Sequence, residues 1–359
     1  MSSVAEMSIA NRRVAPDAPV YFIADISANH DGDLGRAKAL IHLAAESGAD
    51  AAKFQNFRAE KIVSERGFAA IPGNASHQAK WKKSVVQVYK EATLPWEWTG
   101  ILSAECRKAG IHYFSTPYDF DAVDMLDPFV PAFKIGSGDI TWPEMLRKVA
   151  SKGKPVILAT GASSLVDVQR AMDVLEGLAT RPGLVQCNTN YTGSPDNFRH
   201  IHLNVLRTYQ LLFPNAVLGL SDHTPRHAAV LGAVALGARL IEKHFTDDTS
   251  REGPDHPFSM TPATWREMVD RTRELELALG DANKRVGGNE GESIIVQRRC
   301  IRAAKDLSVG TVLERGMLDV LRPAPAETVP PYEIDVVIGK RLRADVRGGD
   351  ALRWTMLED

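Results

Sequence analysis

The stretch Leu218–Thr246, LGLSDHTPRHAAVLGAVALGARLIEKHFT, decides the reading of the fold. It opens on a short apolar run that turns polar at Ser221–Thr224. An amphipathic segment closed by Gly237 follows, and then a second apolar run that ends at His244 and Thr246. A short β-rich run followed by a helical pattern and another β-rich run is one β/α unit and the start of the next. His223 and His244 each stand at the tip of a run. A histidine there is more often a hydrogen-bonded structural residue than a ligand, so position alone leaves two readings: a metal pair, or two unrelated polar residues.

Working outward, the same texture repeats. VYFIADI, DAAKFQN, IHYFSTP, PAFKIGS, KPVILATG and LVQCNTNY precede AVLGLSDHT and ARLIEKHFT, and between them lie helical patterns such as DLGRAKALIHLAAESG, DFDAVDML, PEMLRKVASKG and SLVDVQRAMDVLEGL. Several close on glycine, where a helix C-cap places it. Eight such units predict an α/β chain built as a (β/α)8 TIM barrel, with a doubly wound open sheet as the alternative. The longest connection, about Glu60 to Glu91, contains GFAAIPGNASHQAKWKKS and reads as an elaborated loop over one barrel mouth. The boundaries that follow are a barrel over 1–283, a polar glycine-rich linker over 284–296, and a small domain of short strands and turns over 297–359. A domain that small is near the limit for folding alone and is expected to pack against something.

Composition bounds the function. The 359 residues are 44% hydrophobic and 25% charged, and 43 Lys+Arg against 45 Asp+Glu give a formal charge of -2. That balance offers nucleic acid no footprint. The three cysteines have no zinc-type spacing and suit a reducing compartment as buried thiols. With no apolar stretch of about 18 residues and no N-terminal apolar leader, the expectation is a cytoplasmic protein with no membrane partner.

A barrel of this kind keeps its chemistry at the C-terminal ends of its strands. Those ends hold Asp25, Asn29 and His30; Lys53 and Gln55; Ser115 and Thr116; Lys134, Ser137 and Asp139; Thr160; Thr189 and Tyr191; Ser221, Asp222 and His223; and His244. Two lysines, several hydroxyls and two imidazoles point to an anion site beside a divalent metal. Lys53 taken alone reads as a solvated strand-end lysine. Lys134 sits in FKIGSG, whose glycines free backbone N–H groups to approach an anion.

FIADISANHDGDLGRAKALIHLAAESGADAAKFQ, FSTPYDFDAVDML, FKIGSGDITWPEML, GKPVILATG, LGLSDHT and IEKHFTDDTSREGPDHPFSM resemble, in order, the motifs of the sialic acid synthase family, the phosphoenolpyruvate-dependent nonulosonate synthases. The tail AAKDLSVGTVLERGMLDVLRP…VIGKRLRADV resembles that family's antifreeze-like (SAF) domain, and SANHDG leans toward the pseudaminic acid branch. The resemblance implies that His223 and His244 hold a divalent metal, Mn²⁺ first, with Mg²⁺ or Co²⁺ as alternatives. It places Lys53, Thr116, Lys134, Ser137 and Ser221 around phosphoenolpyruvate. Gln55, Tyr191 and Asp255 match positions facing the acceptor sugar. Arg322 matches an arginine lent across a domain-swapped homodimer.

The chain departs from the family pattern at Asp25 and Asp139, where the family usually has Glu. Ala159 stands for a phosphate-contacting hydroxyl, and the turn RPAPAETVPP replaces RPGNGI. The implied reaction condenses phosphoenolpyruvate with an open-chain aldose of the N-acetylmannosamine type and releases phosphate. Asp25 or Asp139, beside Lys53, would act near the reacting carbons; for Asp25 a turn or N-cap carboxylate is the competing reading. The alternatives are the same condensation on a different aldose or aldehyde, and a catalytically inactive binding homologue.

Overall fold

The structure, a computed structural model, describes residues 5–71, 78, 81–176 and 182–358. The chain divides into two compact units, 1–280 and 281–359. In the first, β1 (Tyr21–Asp25), β2 (Ala51–Asn56), β3 (His112–Pro117), β4 (Phe133–Ile135), β5 (Val156–Ala159), β6 (Gly183–Cys187), β7 (Val217–Asp222) and β8 (Leu240–His244) form one sheet. Its order is β3-β2-β1-β8-β7-β6-β5-β4, and every ladder in it is parallel. The end strands β3 and β4 lie side by side and bring the sheet nearly to closure. This is the TIM-like barrel expected, and the open doubly wound sheet is excluded.

These strands are buried on both faces, which is why they read as short apolar runs rather than as alternating ones. One cluster, including Phe22, Phe54, Leu102, Leu146, Leu220, Ile241 and Trp265, fills the layer between strands and helices. A second lies inside the barrel. There Tyr21, Ile23, Phe114, Ile157, Val185, Val217 and Leu240 meet Met7, Ile9 and Val14 of an N-terminal hairpin that plugs the strand-start end. With that end filled, only the other mouth is left for chemistry.

Local signals set the helices. Asp33 caps Leu34–Glu46 by accepting from the Arg36 N–H, Pro143 opens Pro143–Ala150, and Thr261 caps Pro262–Leu279. Gly48 and Gly237 follow their helices at φ 93° and 99°, the left-handed stop expected from the sequence. Helix Leu165–Glu176 is as expected up to Glu176; Gly177 and Leu178 of that pattern lie outside the described residues, as do 72–77, 79 and 80 of the Glu60–Glu91 connection. The rest of that connection carries helices at Ala59–Ile62, Glu65–Ala69 and Val85–Ala92.

The second unit has two short antiparallel pairs, Cys300–Ala303 with Leu318–Leu321 and Arg341–Leu342 with Leu357–Glu358. Ile301, Leu313, Val329, Val337 and Leu352 form its small core. The glycine-rich stretch 284–296 contains a 3-10 turn at Gly288–Glu290 and enters helix Gly291–Gln297. Cys106, Cys187 and Cys300 are buried free thiols. Among the described residues no helix is long and apolar enough to cross a membrane.

Candidate active site

Side chains alternate along a strand, so each strand end sends one residue in and the next out. Asp25, Lys53, Gln55, Thr116, Lys134, Ser221, Glu242 and His244 share the inward parity. Register then joins them, with His244 opposite Asp25, Asp25 opposite Lys53, Gln55 opposite Thr116 and Glu242 opposite Ser221. Parity also corrects the strand-end set. Ser115 bonds Asn56 and Asp222 bonds Lys243, both on the outer face, so neither belongs to the mouth.

Inside, four charges alternate in sign. Lys53 Nζ lies 2.6 Å from Asp25 Oδ2 and 3.9 Å from Glu242 Oε1; Lys134 Nζ lies 3.0 Å from Glu242 Oε1, which also accepts from Ser221 Oγ at 3.2 Å. All are nearly inaccessible, Lys53 at 2% and Lys134 at 3% exposure, so the solvated-lysine reading of Lys53 fails. A buried charge persists only with a partner, and here each has one. Burial alone would lift the Glu242 carboxyl, but Lys134 and then Lys53 outweigh it and hold Glu242 well below the usual range. Burial raises the Asp25 carboxyl against the pull of Lys53. Asp25 is therefore no helix cap; Asp33 takes that part.

Glu242 was not among the residues expected from sequence. Its signal was present: two residues before His244 on one strand, it shares that histidine's face.

His223 Nδ1 lies 2.9 Å from the Asn188 carbonyl oxygen. That oxygen only accepts, so Nδ1 carries the proton and the Nε2 lone pair is free, the arrangement a metal-binding histidine needs. Burial, reinforced by His244, lowers the His223 pKa to about 3 and keeps the ring neutral. The His223 and His244 ring centroids are 5.4 Å apart, and His244 Nδ1 is buried without a hydrogen bond, 3.9 Å from Asp255 Oδ2. Among the described residues no group of three or more His, Cys, Asp or Glu side chains is set to hold a metal. The two imidazoles alone, one with its Nε2 lone pair open, are of the donor type that suits a divalent ion.

Ser137 and Asp139 lie on the 3-10 turn after β4. Ser137 Oγ accepts from the Gly161 N–H at 2.9 Å, and a Cβ on Gly161 would stand 2.4 Å from Thr189 Cγ2 and 2.8 Å from that oxygen, so only glycine fits there. Burial raises the Asp139 pKa to about 6, and its Oδ2 is unpartnered. Gln55, Tyr191, His244 and Asp255 line a pocket of about 140 Å³ together with Trp81 and Tyr89. The Glu60–Glu91 connection therefore does overhang the mouth. Ala159 faces the barrel interior, buried at 2%. Arg322 belongs to the second unit, is exposed, and donates from Nε to the Gln297 carbonyl at 2.6 Å.

At the rim, His30 is 1% exposed and accepts from the Gly32 N–H; burial lowers its pKa to about 4, against Asp31 and Asp255. The folded pKa lies below the unfolded value of about 6.5, so the unfolded chain binds the extra proton as pH falls, and stability is lost from about pH 6.5 down to about 4. By that linkage His30 costs about 2 kcal/mol at pH 5. We expect the stability gap between pH 7 and pH 5, measured by urea unfolding, to narrow by roughly that amount in His30→Asn. An unchanged gap would mean that His30 titrates alike in both states.

With this geometry in hand, comparison with known proteins is informative. Residues 40–284 match the NeuB family and residues 298–358 the SAF domain. The N,N'-diacetyllegionaminic acid synthase of Campylobacter jejuni is 36% identical, covering 87% of this chain and 92% of its own. Pseudaminic acid synthase of the same species is 31% identical, with 94% and 96% covered. Overall identity thus does not follow the pseudaminic lean of SANHDG. The crystal structure of N-acetylneuraminic acid (sialic acid) synthetase from Leptospira borgpetersenii superposes with a TM-score of 0.70 at 28% identity, over 81% of this chain and 95% of that one.

Proposed function

The chain belongs to the NeuB family, and from that premise we propose that it condenses phosphoenolpyruvate with an open-chain aldose of the N-acetylmannosamine type, releasing phosphate. The observation that carries the proposal is the buried quartet Asp25, Lys53, Lys134 and Glu242 beside two imidazoles at the open mouth of the barrel. Paired in the free protein, the lysines can turn to the carboxylate and phosphate of the donor without ever being bare. Ser137, Ser221 and Thr116 add hydroxyls around the same anion. C3 of the donor forms a bond to the aldehyde carbon, water adds to C2, and the C–O bond to phosphate breaks. Asp139, with a pKa near 6, is the carboxyl able to hold or release a proton at neutral pH. A divalent ion on His223 and His244, Mn²⁺ first and Mg²⁺ or Co²⁺ otherwise, would supply Lewis-acid polarisation of the acceptor carbonyl.

Gln55, Tyr191 and Asp255 would face the acceptor, which their place in one pocket supports. The relatives named for legionaminic, pseudaminic and N-acetylneuraminic acid support a 2-acetamido sugar or its diamino dideoxy kin. The altered RPAPAETVPP turn favours testing other aldoses beside it. Buried free thiols fit the cytoplasm. Phosphate release from phosphoenolpyruvate, measured with a panel of aldoses and Mn²⁺, is the test. Release with none of them would favour the inactive homologue.

Arg322 enters this proposal through the small domain of a partner in a domain-swapped homodimer. Arg322→Ala and Asp25→Ala, each inactive, should then recover up to about a quarter of wild-type activity when mixed under verified subunit exchange, because half the dimers pair one intact barrel with one intact cap. With both variants shown to fold and dimerise, no recovery would mean that Arg322 serves its own barrel or that the cap contributes nothing to the site.

A further inference from the structure

The loop after β8 carries Asp255, and its anchorage uses none of the four buried charges. His256, with no exposed surface, places Nε2 2.8 Å from Asp31 Oδ1 and Nδ1 2.7 Å from Thr246 Oγ1. A carboxylate only accepts, so Nε2 donates to Asp31. The other oxygen of Asp31 accepts from Arg251 Nε at 2.9 Å, with Arg36 Nε at 3.1 Å. Arg36 in turn binds the Asn29 carbonyl and Asp247. Asn29 Nδ2 donates to the Phe245 carbonyl and to Ser259 Oγ, each at 2.9 Å. The loop after β1 is thus stitched to the loop after β8 by bonds spanning more than 200 residues of sequence.

Two backbone features show how closely this fastening is fitted. Asp31 sits at φ 51°, a left-handed conformation that disfavours a residue with a Cβ and that Asp adopts more readily than most. Gly253 lies flush on the imidazole, since a Cβ there would stand 2.6 Å from His256 Cδ2. The residue set by all this is Asp255. Its Oδ2 accepts from the Ala28 N–H at 3.3 Å and its carbonyl from Ser259 Oγ at 2.7 Å, so its carboxylate is aimed into the pocket beside His244.

We infer that Asp31 and His256 form a latch that positions Asp255 over His244, acting on the acceptor end of the site and not on the donor end. Neither lines the pocket that Asp255 enters, so both are positioning residues. The role rests on the acceptor reading proposed above.

His256→Leu keeps bulk and loses the donor, His256→Gln restores a nitrogen donor toward Asp31, and Asp31→Asn removes the acceptor's charge. We expect His256→Leu and Asp31→Asn to raise the acceptor KM about tenfold and leave the phosphoenolpyruvate Kd, measured by calorimetry, within twofold. His256→Gln should recover most of the loss. Equal damage to donor binding, a lower Tm with unchanged KM, or a Gln variant no better than Leu would each overturn the positioning role. If His256→Leu does not fold, Asp31→Asn carries the test. Amide exchange over 248–259 should quicken in Asp31→Asn whatever the enzyme's substrate. Unchanged exchange in Asp31→Asn rejects the latch itself, whereas faster exchange in Asp31→Asn alongside a wild type that turns over no aldose rejects the acceptor reading alone.

Discussion

Glu242→Leu should destabilise the protein by about 3–5 kcal/mol, and Lys134→Met/Glu242→Leu should recover most of that loss. The single change strands the Lys134 ammonium, 3% exposed, beside an apolar side chain, with its 3.0 Å partner gone. An uncompensated buried charge must move, neutralise or unfold its surroundings, and each route costs several kcal/mol. Removing both partners removes that penalty and leaves shape-matched apolar groups, an exchange that is often neutral. Lys53 keeps Asp25 at 2.6 Å in every variant, so the coupling belongs to Lys134 and Glu242. Urea unfolding of the two single variants and the double one measures it as a cycle. Additive losses would show that the two charges are solvated independently, contrary to their burial. Lys134→Ala should lose donor binding, but part of any deficit would come from Glu242 left with the more distant Lys53, at 3.9 Å, as its cation.

The barrel was legible in sequence because parallel strands buried on both faces leave short apolar runs whose polar tips mark one end. The eight runs needed only local reading. The plug formed by Met7, Ile9 and Val14 was not legible, since its three-residue strands carry no period and its role comes from Tyr21, Val217 and Leu240, remote in sequence. The site divided along the same line. Lys53, Lys134, His223 and His244 stand at strand tips and announce themselves. Which carboxylate serves Lys134 depends on a contact across 108 residues, and no local pattern encodes it. Ser115 and Asp222 fall on the outer parity of their strands, and counting back two from His244 admits Glu242.

Parity also explains how one strand serves both stability and chemistry. In β8, Glu242 and His244 face the mouth, while Lys243 between them faces outward, 1% exposed, with Nζ 2.5 Å from Asp222 Oδ2 and 2.6 Å from the Thr224 carbonyl. Asp222 also accepts from the Thr224 N–H and hydroxyl. The outer pair thereby braces the turn that carries His223, and the inner charges are free to serve a ligand. The two sets are distinct because the period of the strand is two.

His223→Ala or His244→Ala should weaken Mn²⁺ binding by at least about a hundredfold, read by calorimetry on the metal-free protein without any turnover assay. Each imidazole would supply one of only two protein ligands, so losing either leaves a single donor and removes the chelate. The protein prepares His223 for that part: the Asn188 carbonyl fixes the proton on Nδ1, and burial keeps the ring neutral. Neutral nitrogen donors suit Mn²⁺, Co²⁺ or Zn²⁺ better than Mg²⁺, so Co²⁺ should substitute and report the site by its visible absorption. Tyr191 and Phe258, with ring centroids 4.5 Å and 5.9 Å from that of His223, pack on the imidazole that His223→Ala removes, so binding is compared at a temperature where both variants remain folded. If both variants bind Mn²⁺ as tightly as the wild type, the ion lies elsewhere. The histidines would then be two unrelated polar residues at strand tips, the plainer of the two readings their position allows.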